Sequence, residues 1–556
     1  MIMYDLIFRN GFVIDGTGAP WFRADVGVEG GRIAEVGKLS ASKADRVIDA
    51  TGLVVSPGFI DIHGHSEVSF LRFPKCESYI YQGVTTQLTC TCGTSGSGPL
   101  RGLAYERASF PEGVEPWRTL SEYMERFREV GVSMNGVFLV GHGTVRIGVM
   151  GFENRAPTGD EMDEMKALYA ETMEQGAFGM STGLMYIPQN YADTYEIVEV
   201  AEVVAGYGGF LTNHTRRRGF EWGDRPLPER HENFVVPWVD TKVDAILETI
   251  EIGRRAGIPV HISHMKASGS VNWGKMRGYL KMIDEARKRG VDITVDTCYP
   301  PYKARAASLT HQLPTWVGAA ARGRRGGTEG LREMLKDPET RARIKEELKL
   351  HMEGHQREES WEETLILTVD LEKNRDLIGK SYAEAAAMRG KEPADWCLDS
   401  IAEGENAGGV AFIIGDEDLL TIARYPFSMI CSDSRVTNTS DKTGTHPRTY
   451  GTFPRLLRRY VREEGVLRWE EAIHKITGLP ARRLGLWDRG IIQPGNWADL
   501  TVFDPIGITD KATFQDPIQY SEGILYLTVN GVLTIDEGRH TGATAGKPLR
   551  RQPRAA

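Results

Sequence analysis

The chain has 556 residues, 41% hydrophobic and 26% charged, enough for a large core plus a second, smaller domain. Its 67 Lys and Arg stand against 76 Asp and Glu, a net charge of −9 that argues against a nucleic-acid partner. No apolar run reaches membrane-spanning length, the first residues lack the pattern of a signal peptide, and six cysteines in so long a chain are no disulfide framework; the expectation is a cytoplasmic protein with a small-molecule substrate.

From residue 4 to about 57, short apolar runs predict strands at 6–8, 11–14, 24–28 and 32–36, with hairpin signals at Asn10-Gly11 and Gly30-Gly31. The run 54–62 predicts a strand that closes on His63-Gly64-His65. Asp61, His63 and His65 then share one face, and two imidazoles there can grip one divalent metal. Beyond this point strands alternate with amphipathic helices such as 158–175 and 243–256. The strand candidates are 84–89, 137–140, 178–181, 209–212, 259–263, 292–296, 410–413 and 428–431. Alternation over this length predicts a parallel sheet, most simply a (β/α)8 barrel, although the tally with the first strand is one too many. Residues 318–363, dense in Arg and Glu, read as a helical excursion, either a lid or a plain solvated pair. The strand pattern returns at 499–503 and 525–532. The expected domains are a β domain from 1–57 and 485–545, a barrel from 58–484 and a flexible, Arg-bearing tail from 546–556.

Chemistry in such a barrel gathers at the carboxyl ends of the strands. There stand His63, His65, Cys92, His214, His264 and Asp433. Zinc prefers imidazole and thiolate, and a catalytic site keeps one position open for water. Cys92, His214 and His264 therefore make one tight Zn2+ site, and His63, His65 and Asp433 supply a second, weaker one. Asp433 is also placed to take a proton from metal-bound water and hand it to a leaving group. Cys90 shares the strand parity of Cys92 and is its rival; Gly93, which lets the backbone turn tightly, favours Cys92. His142 also ends a strand, and reads as pocket lining or as a hydrogen-bonded structural residue. His261 has the opposite parity to His264 and is assigned to the barrel wall.

At these residues the chain resembles the amidohydrolase superfamily, and more closely the N-acyl-D-amino-acid deacylases, or D-aminoacylases. The motifs that carry the likeness are GLVVSPGFIDIHGHSE, GHGTVR, GAFGMSTGLMYIPQNYADTYEI, HISHMKASGSVNWGK and HPRTYGTFPRLLRRYV. The resemblance implies a metal-dependent hydrolase on a (β/α)8 TIM-type barrel, with a small β-sandwich domain built from both termini. It implies zinc-dependent hydrolysis of N-acyl-D-amino acids, by metal-bound hydroxide with Asp433 as general base and acid. It also places Lys266, Tyr299 and Arg448 on the substrate's α-carboxylate and Tyr186 in the pocket wall.

The chain departs from the family pattern at several points. Gly64 stands where the family has Thr, Asn213 precedes His214, and only Arg216 of Arg216-Arg217-Arg218 is where the family has it. Residues 219–240 form a long Pro-containing stretch, and the Tyr299 loop carries extra residues. All of these touch substrate choice. Two other readings therefore stand beside the first: hydrolysis of another amide, cyclic amide or small peptide, and an inactive barrel used as a binding scaffold.

Overall fold

Eight parallel strands close a ring in the computed structural model, which describes residues 3–39, 43–216, 241–298, 304–314, 316–317, 328–354, 359–441 and 446–551. In chain order they are Phe59–Asp61, Val84–Thr89, Asn135–Phe138 continued by Val140–Gly141, Gly179–Gly183, Phe210–His214, Val260–Ile262, Ile293–Thr297 and Ser428–Ile430. Each pairs in parallel with the next. The ring closes where Gly64 bridges Ser434: the Asp433 amide donates to the His63 carbonyl at 3.0 Å, and the His65 amide to the Ser434 carbonyl at 2.9 Å. Nearly all of these strand residues are buried on both faces, polar ones such as Thr86, Gln87, Thr212 and Asp296 included, so their sequences do not alternate between buried apolar and exposed polar positions. The predicted helices pack outside. One is Gly159–Glu174, opened by a capping box in which Thr158 accepts from the Glu161 amide, and another is Thr241–Ala256.

Strands from both ends of the chain form a nine-stranded sheet. Val54–Pro57 sits at its middle, flanked by Met3–Val13 on one side and Leu500–Phe503 on the other. The two arms share one core that includes Leu6, Phe8, Val28, Val55, Leu500 and Val502. Gly30-Gly31 is the turn of a hairpin, as predicted, with φ of 57° and 80°. Asn10-Gly11 is not: Met3–Val13 is one strand, and Asn10, at φ 62°, sits in a bulge between Phe8 and Gly11. Asn tolerates the left-handed region in a bulge as readily as in a hairpin turn.

Two further expectations are corrected. The 410–413 run belongs to no barrel strand. Gly408–Ala411 lies between Arg305–Ser308 and Thr364–Thr368 in a three-stranded antiparallel sheet, and removing it leaves eight barrel strands. A four-residue apolar run looks the same in either setting. The described helices of the excursion placed at 318–363, Thr328–Lys336 and Pro338–Glu353, accordingly belong to a larger unit between the seventh and eighth barrel strands. That unit has its own core of Leu309, Leu348, Ile366, Tyr382, Trp396 and Ile401. The expected flexible tail is docked as far as Arg551. The Gly546 amide donates to Val132, Leu549 to Gly136 and Arg551 to Gly176, and Gly136 donates back to Lys547. Its backbone polar groups thus find partners on the barrel, which a charge-based reading of the tail overlooked.

Candidate metal centre

Six donors from five strand ends meet at one end of the barrel. Cys92 Sγ lies 3.2 Å from His214 Nδ1, 3.7 Å from His264 Nε2 and 3.4 Å from His63 Nε2. His214 Nδ1 and His264 Nε2 are 2.8 Å apart. Beside them Asp433 Oδ1 sits 3.2 Å from His65 Nε2 and 3.6 Å from His63 Nε2. Cys92, His214 and His264 are all buried. A tetrahedral zinc about 2.3 Å from sulfur and about 2.0 Å from nitrogen would space its donors by roughly 3.3–3.6 Å. The spacings around Cys92 are close to that, and the set combines soft thiolate with imidazole, so these residues fit the ion.

Local backbone geometry aims the donors. Cys92, His264 and Asp433 all occupy the left-handed region, at φ of 56°, 34° and 49°. Such conformations cost about 1–3 kcal/mol each and persist where the surroundings enforce them. The second barrel strand ends at Thr89, so strand parity does not decide between the cysteines. The turn does: Cys92 faces the histidines, whereas Cys90 Sγ lies in the core, 3.1 Å from Ser97 Oγ. Gln189 holds the turn, accepting from the Gly183 amide at 2.6 Å and donating to the Cys92 carbonyl at 3.3 Å.

The electrostatics follow from crowding. Burial opposes a thiolate at Cys92, but the His214 and His63 imidazoles hold its thiol well below the usual value. Burial and the neighbouring Lys266 push His264 down to about 3, keeping it neutral. Burial also opposes charge on Asp433, yet Arg448 and His65 hold its carboxyl well below the ordinary range. Arg448 Nη1 donates to Asp433 Oδ2 at 2.9 Å and to Cys298 Sγ at 3.6 Å. Lys266 Nζ lies 3.3 Å from His264 Nδ1, and the Tyr186 ring meets that of His214 edge-on at 4.8 Å. Tyr299 and residues 217–240 fall outside the described residues.

The other candidates sort themselves. Asp61, predicted on the face of His63 and His65, instead ties the first strand to its two neighbours: it accepts from Gln87 Nε2 of the second strand at 2.9 Å and from the Ser432 hydroxyl, just past the last strand, at 2.6 Å. His142 is structural, bonded to Tyr169 at 3.1 Å and Glu196 at 3.0 Å. Arg216 is buried against Glu248 with Nε at 2.9 Å, and Asn213 bonds Thr249 and Thr182; both belong to the scaffold. Gly64 is explained by its neighbour, because a Cβ there would lie 2.2 Å from the Gln87 amide. The sequence reading missed Gln189 and Asp296. The latter's signal is a charged residue near the end of a β-branched strand, Ile293–Thr297.

A cluster of soft donors at the carboxyl ends of a (β/α)8 barrel, with a β domain drawn from both termini, defines a metal-dependent hydrolase. The amidohydrolase family matches residues 46–220 and 425–535. A D-aminoacylase of Alcaligenes xylosoxydans xylosoxydans is 34% identical over 99% of this chain and 98% of its own length. A D-aminoacylase crystal structure, described as defining a novel subset of amidohydrolases, aligns at TM-score 0.77 and 35% identity, covering 99% of this chain and all of that one. An N-acyl-D-glutamate deacylase of Bordetella bronchiseptica, complexed with zinc and a phosphonate mimic of the tetrahedral intermediate, aligns at TM-score 0.76 and 29% identity, over 99% and 100% of the two chains. The chain belongs to the amidohydrolase family, in its N-acyl-D-amino-acid deacylase (D-aminoacylase) branch. It is accordingly a metal-dependent amidohydrolase acting on linear amides.

Proposed function

We propose that the protein hydrolyses N-acyl-D-amino acids to a carboxylic acid and a free D-amino acid. Zinc would be held tightly by Cys92, His214 and His264, and more weakly by His63, His65 and Asp433. The observation that carries this reading is the meeting of the donor cluster with the Arg448–Asp433 pair at 2.9 Å. Bound zinc supplies a Lewis acid for the amide carbonyl and brings the pKa of water toward neutrality. Asp433 takes the proton of the attacking water and returns it to the departing amine nitrogen. Arg448, with its planar fork, holds the α-carboxylate, helped by the point charge of Lys266 and by Tyr299. Tyr186 closes the wall beside His214. Names of the related enzymes support D-configured substrates.

The test compares N-acetyl-D- with N-acetyl-L-amino acids, and each free acid with its carboxamide, in wild type and Arg448→Ala. Wild type should favour the D-acid over both alternatives. The variant should lose most of its preference for the acid, roughly 2–5 kcal/mol, as when one partner of a buried charge pair is truncated. A wild type that leaves both N-acetyl enantiomers intact, or a variant that discriminates as wild type does, defeats the proposal.

A further inference from the structure

One carboxylate beneath the centre touches two of its ligands without belonging to either proposed site. Asp296 lies in the seventh barrel strand and is fully buried. Its Oδ2 faces His63 Nδ1 at 3.2 Å and His261 Nε2 at 2.8 Å. Its Oδ1 accepts from the His264 backbone amide at 2.5 Å and from the Cys431 thiol at 3.2 Å. A carboxylate only accepts, so both ring nitrogens on Oδ2 carry protons. His63 is thereby fixed with Nδ1 protonated, and its Nε2, the atom facing Cys92 and Asp433, offers the lone pair. His261 Nδ1 in turn accepts from the Thr294 hydroxyl at 2.7 Å, which fixes that ring also. The Oδ1 contact holds the His264 amide, at the residue whose φ of 34° turns its ring toward Cys92 and His214.

We infer that Asp296 is the positioning residue of the whole metal centre, setting the tautomer of His63 in the weaker site and the backbone of His264 in the tight one. His261 is then not a passive wall residue, because it braces the carboxylate. The competing reading is that Asp296, His63 and Cys431, whose donor atoms lie within 4.8 Å of one another, form a metal site of their own. The hydrogen-bond pattern opposes it: that site would need the Nδ1 lone pair of His63, the nitrogen that Asp296 keeps protonated. Partners that orient a ligand in this way are worth roughly 10- to 100-fold in metal affinity.

This inference rests on the metal reading of the site, and the experiment separates the two. Chelator-stripped wild type and Asp296→Asn are titrated with zinc against a chromophoric chelator, and cobalt-loaded samples are compared by absorption. The variant should bind as many ions as wild type, each roughly 10- to 100-fold more weakly, with altered cobalt bands. Unchanged affinity and bands overturn the inference. Loss of one ion at saturation also overturns it, since Asp296 would then be a ligand. A wild type that takes up no zinc refutes the metal reading instead. Should Asp296→Asn not fold, His261→Gln and Cys431→Ala, each removing one neighbour of the carboxylate, are titrated in its place; wild-type affinity in both overturns the inference.

Discussion

At the carboxyl end of the barrel, donors face donors: Cys92, His214 and His264 turn their lone-pair atoms toward one another, and Cys92, His264 and Asp433 hold left-handed backbone. At the amino end, each donor faces an acceptor. Asp499 accepts from the Asn530 amide at 2.6 Å, from Asn135 Nδ2 at 3.2 Å and from the buried Arg489 guanidinium. Arg489 donates on to Asn530 Oδ1 at 2.7 Å, and Asn530 Nδ2 donates to Asn135 Oδ1 at 2.8 Å and the Ala545 carbonyl at 2.7 Å. That network ties the C-terminal strands to the third barrel strand and to the start of the docked tail. Left-handed backbone at donor-bearing residues is thus gathered at the carboxyl end, and a closed network of hydrogen-bonded polar groups at the amino end. Substitutions at the two ends should therefore fail in different ways.

The largest effect should come from Cys92→Ala. It removes the sulfur that faces both His214 and His264 in the proposed tight site, so the protein should fold but hold much less zinc and lose nearly all activity. Metal analysis of the purified variant checks this. Full zinc content would reassign the ligand and erase the contrast at that end. Next in size is Arg489→Met at the opposite end. It leaves Asp499 buried without its cation, which should cost about 3–5 kcal/mol. The urea midpoint should fall, while zinc content and kcat/KM of the folded protein stay at wild-type values. An unchanged midpoint, or lost activity in folded protein, would show that the two ends are not separable in this way.

How far the sequence carried the reading depends on the kind of signal. Barrel strands are legible from short runs rich in apolar and β-branched residues, and the His, Cys and Asp residues at their ends stand out against them. The 410–413 run was misread because a short buried strand carries no mark of its sheet. The neighbouring glycine is the sequence's reason to prefer Cys92 to Cys90; in the structure both stand at positive φ, with Cys92 Sγ against the histidines and Cys90 Sγ against Ser97. Asp296 went unnoticed because its role is set by four contacts from the first, sixth and eighth strands or the loops that follow them, none of them near in sequence. Lys266 and Arg448 were assigned to a substrate carboxylate by likeness; in the structure they sit against His264 and Asp433, contacts no motif displays.

The smallest of the expected effects belongs to Asp433→Asn, and it sharpens the comparison most. Asp433 sits at φ 49°, a region that Asn occupies at least as readily as Asp. Asn also keeps one acceptor oxygen for Arg448, which now bonds Asp433 Oδ2 at 2.9 Å, and its NH2 can donate to His65 Nε2, now 3.2 Å from Oδ1. The fold should therefore survive, with stability within about 1 kcal/mol of wild type, because the Arg448–Asp433 pair, unlike Arg489–Asp499, is partly open to solvent and worth correspondingly less. Cys92, His214 and His264 are untouched, so most of the metal should remain. What Asn cannot do is accept a proton, and a positioned proton-transfer group is worth at least ~10²-fold in rate. Metal-loaded Asp433→Asn should thus be as stable as wild type and slower by that factor, the mirror image of Arg489→Met. Near-normal turnover would remove Asp433 from proton transfer. A large drop in stability would mean that the carboxyl end, too, is held together by its charge pair, and that the division of labour between the two ends does not hold.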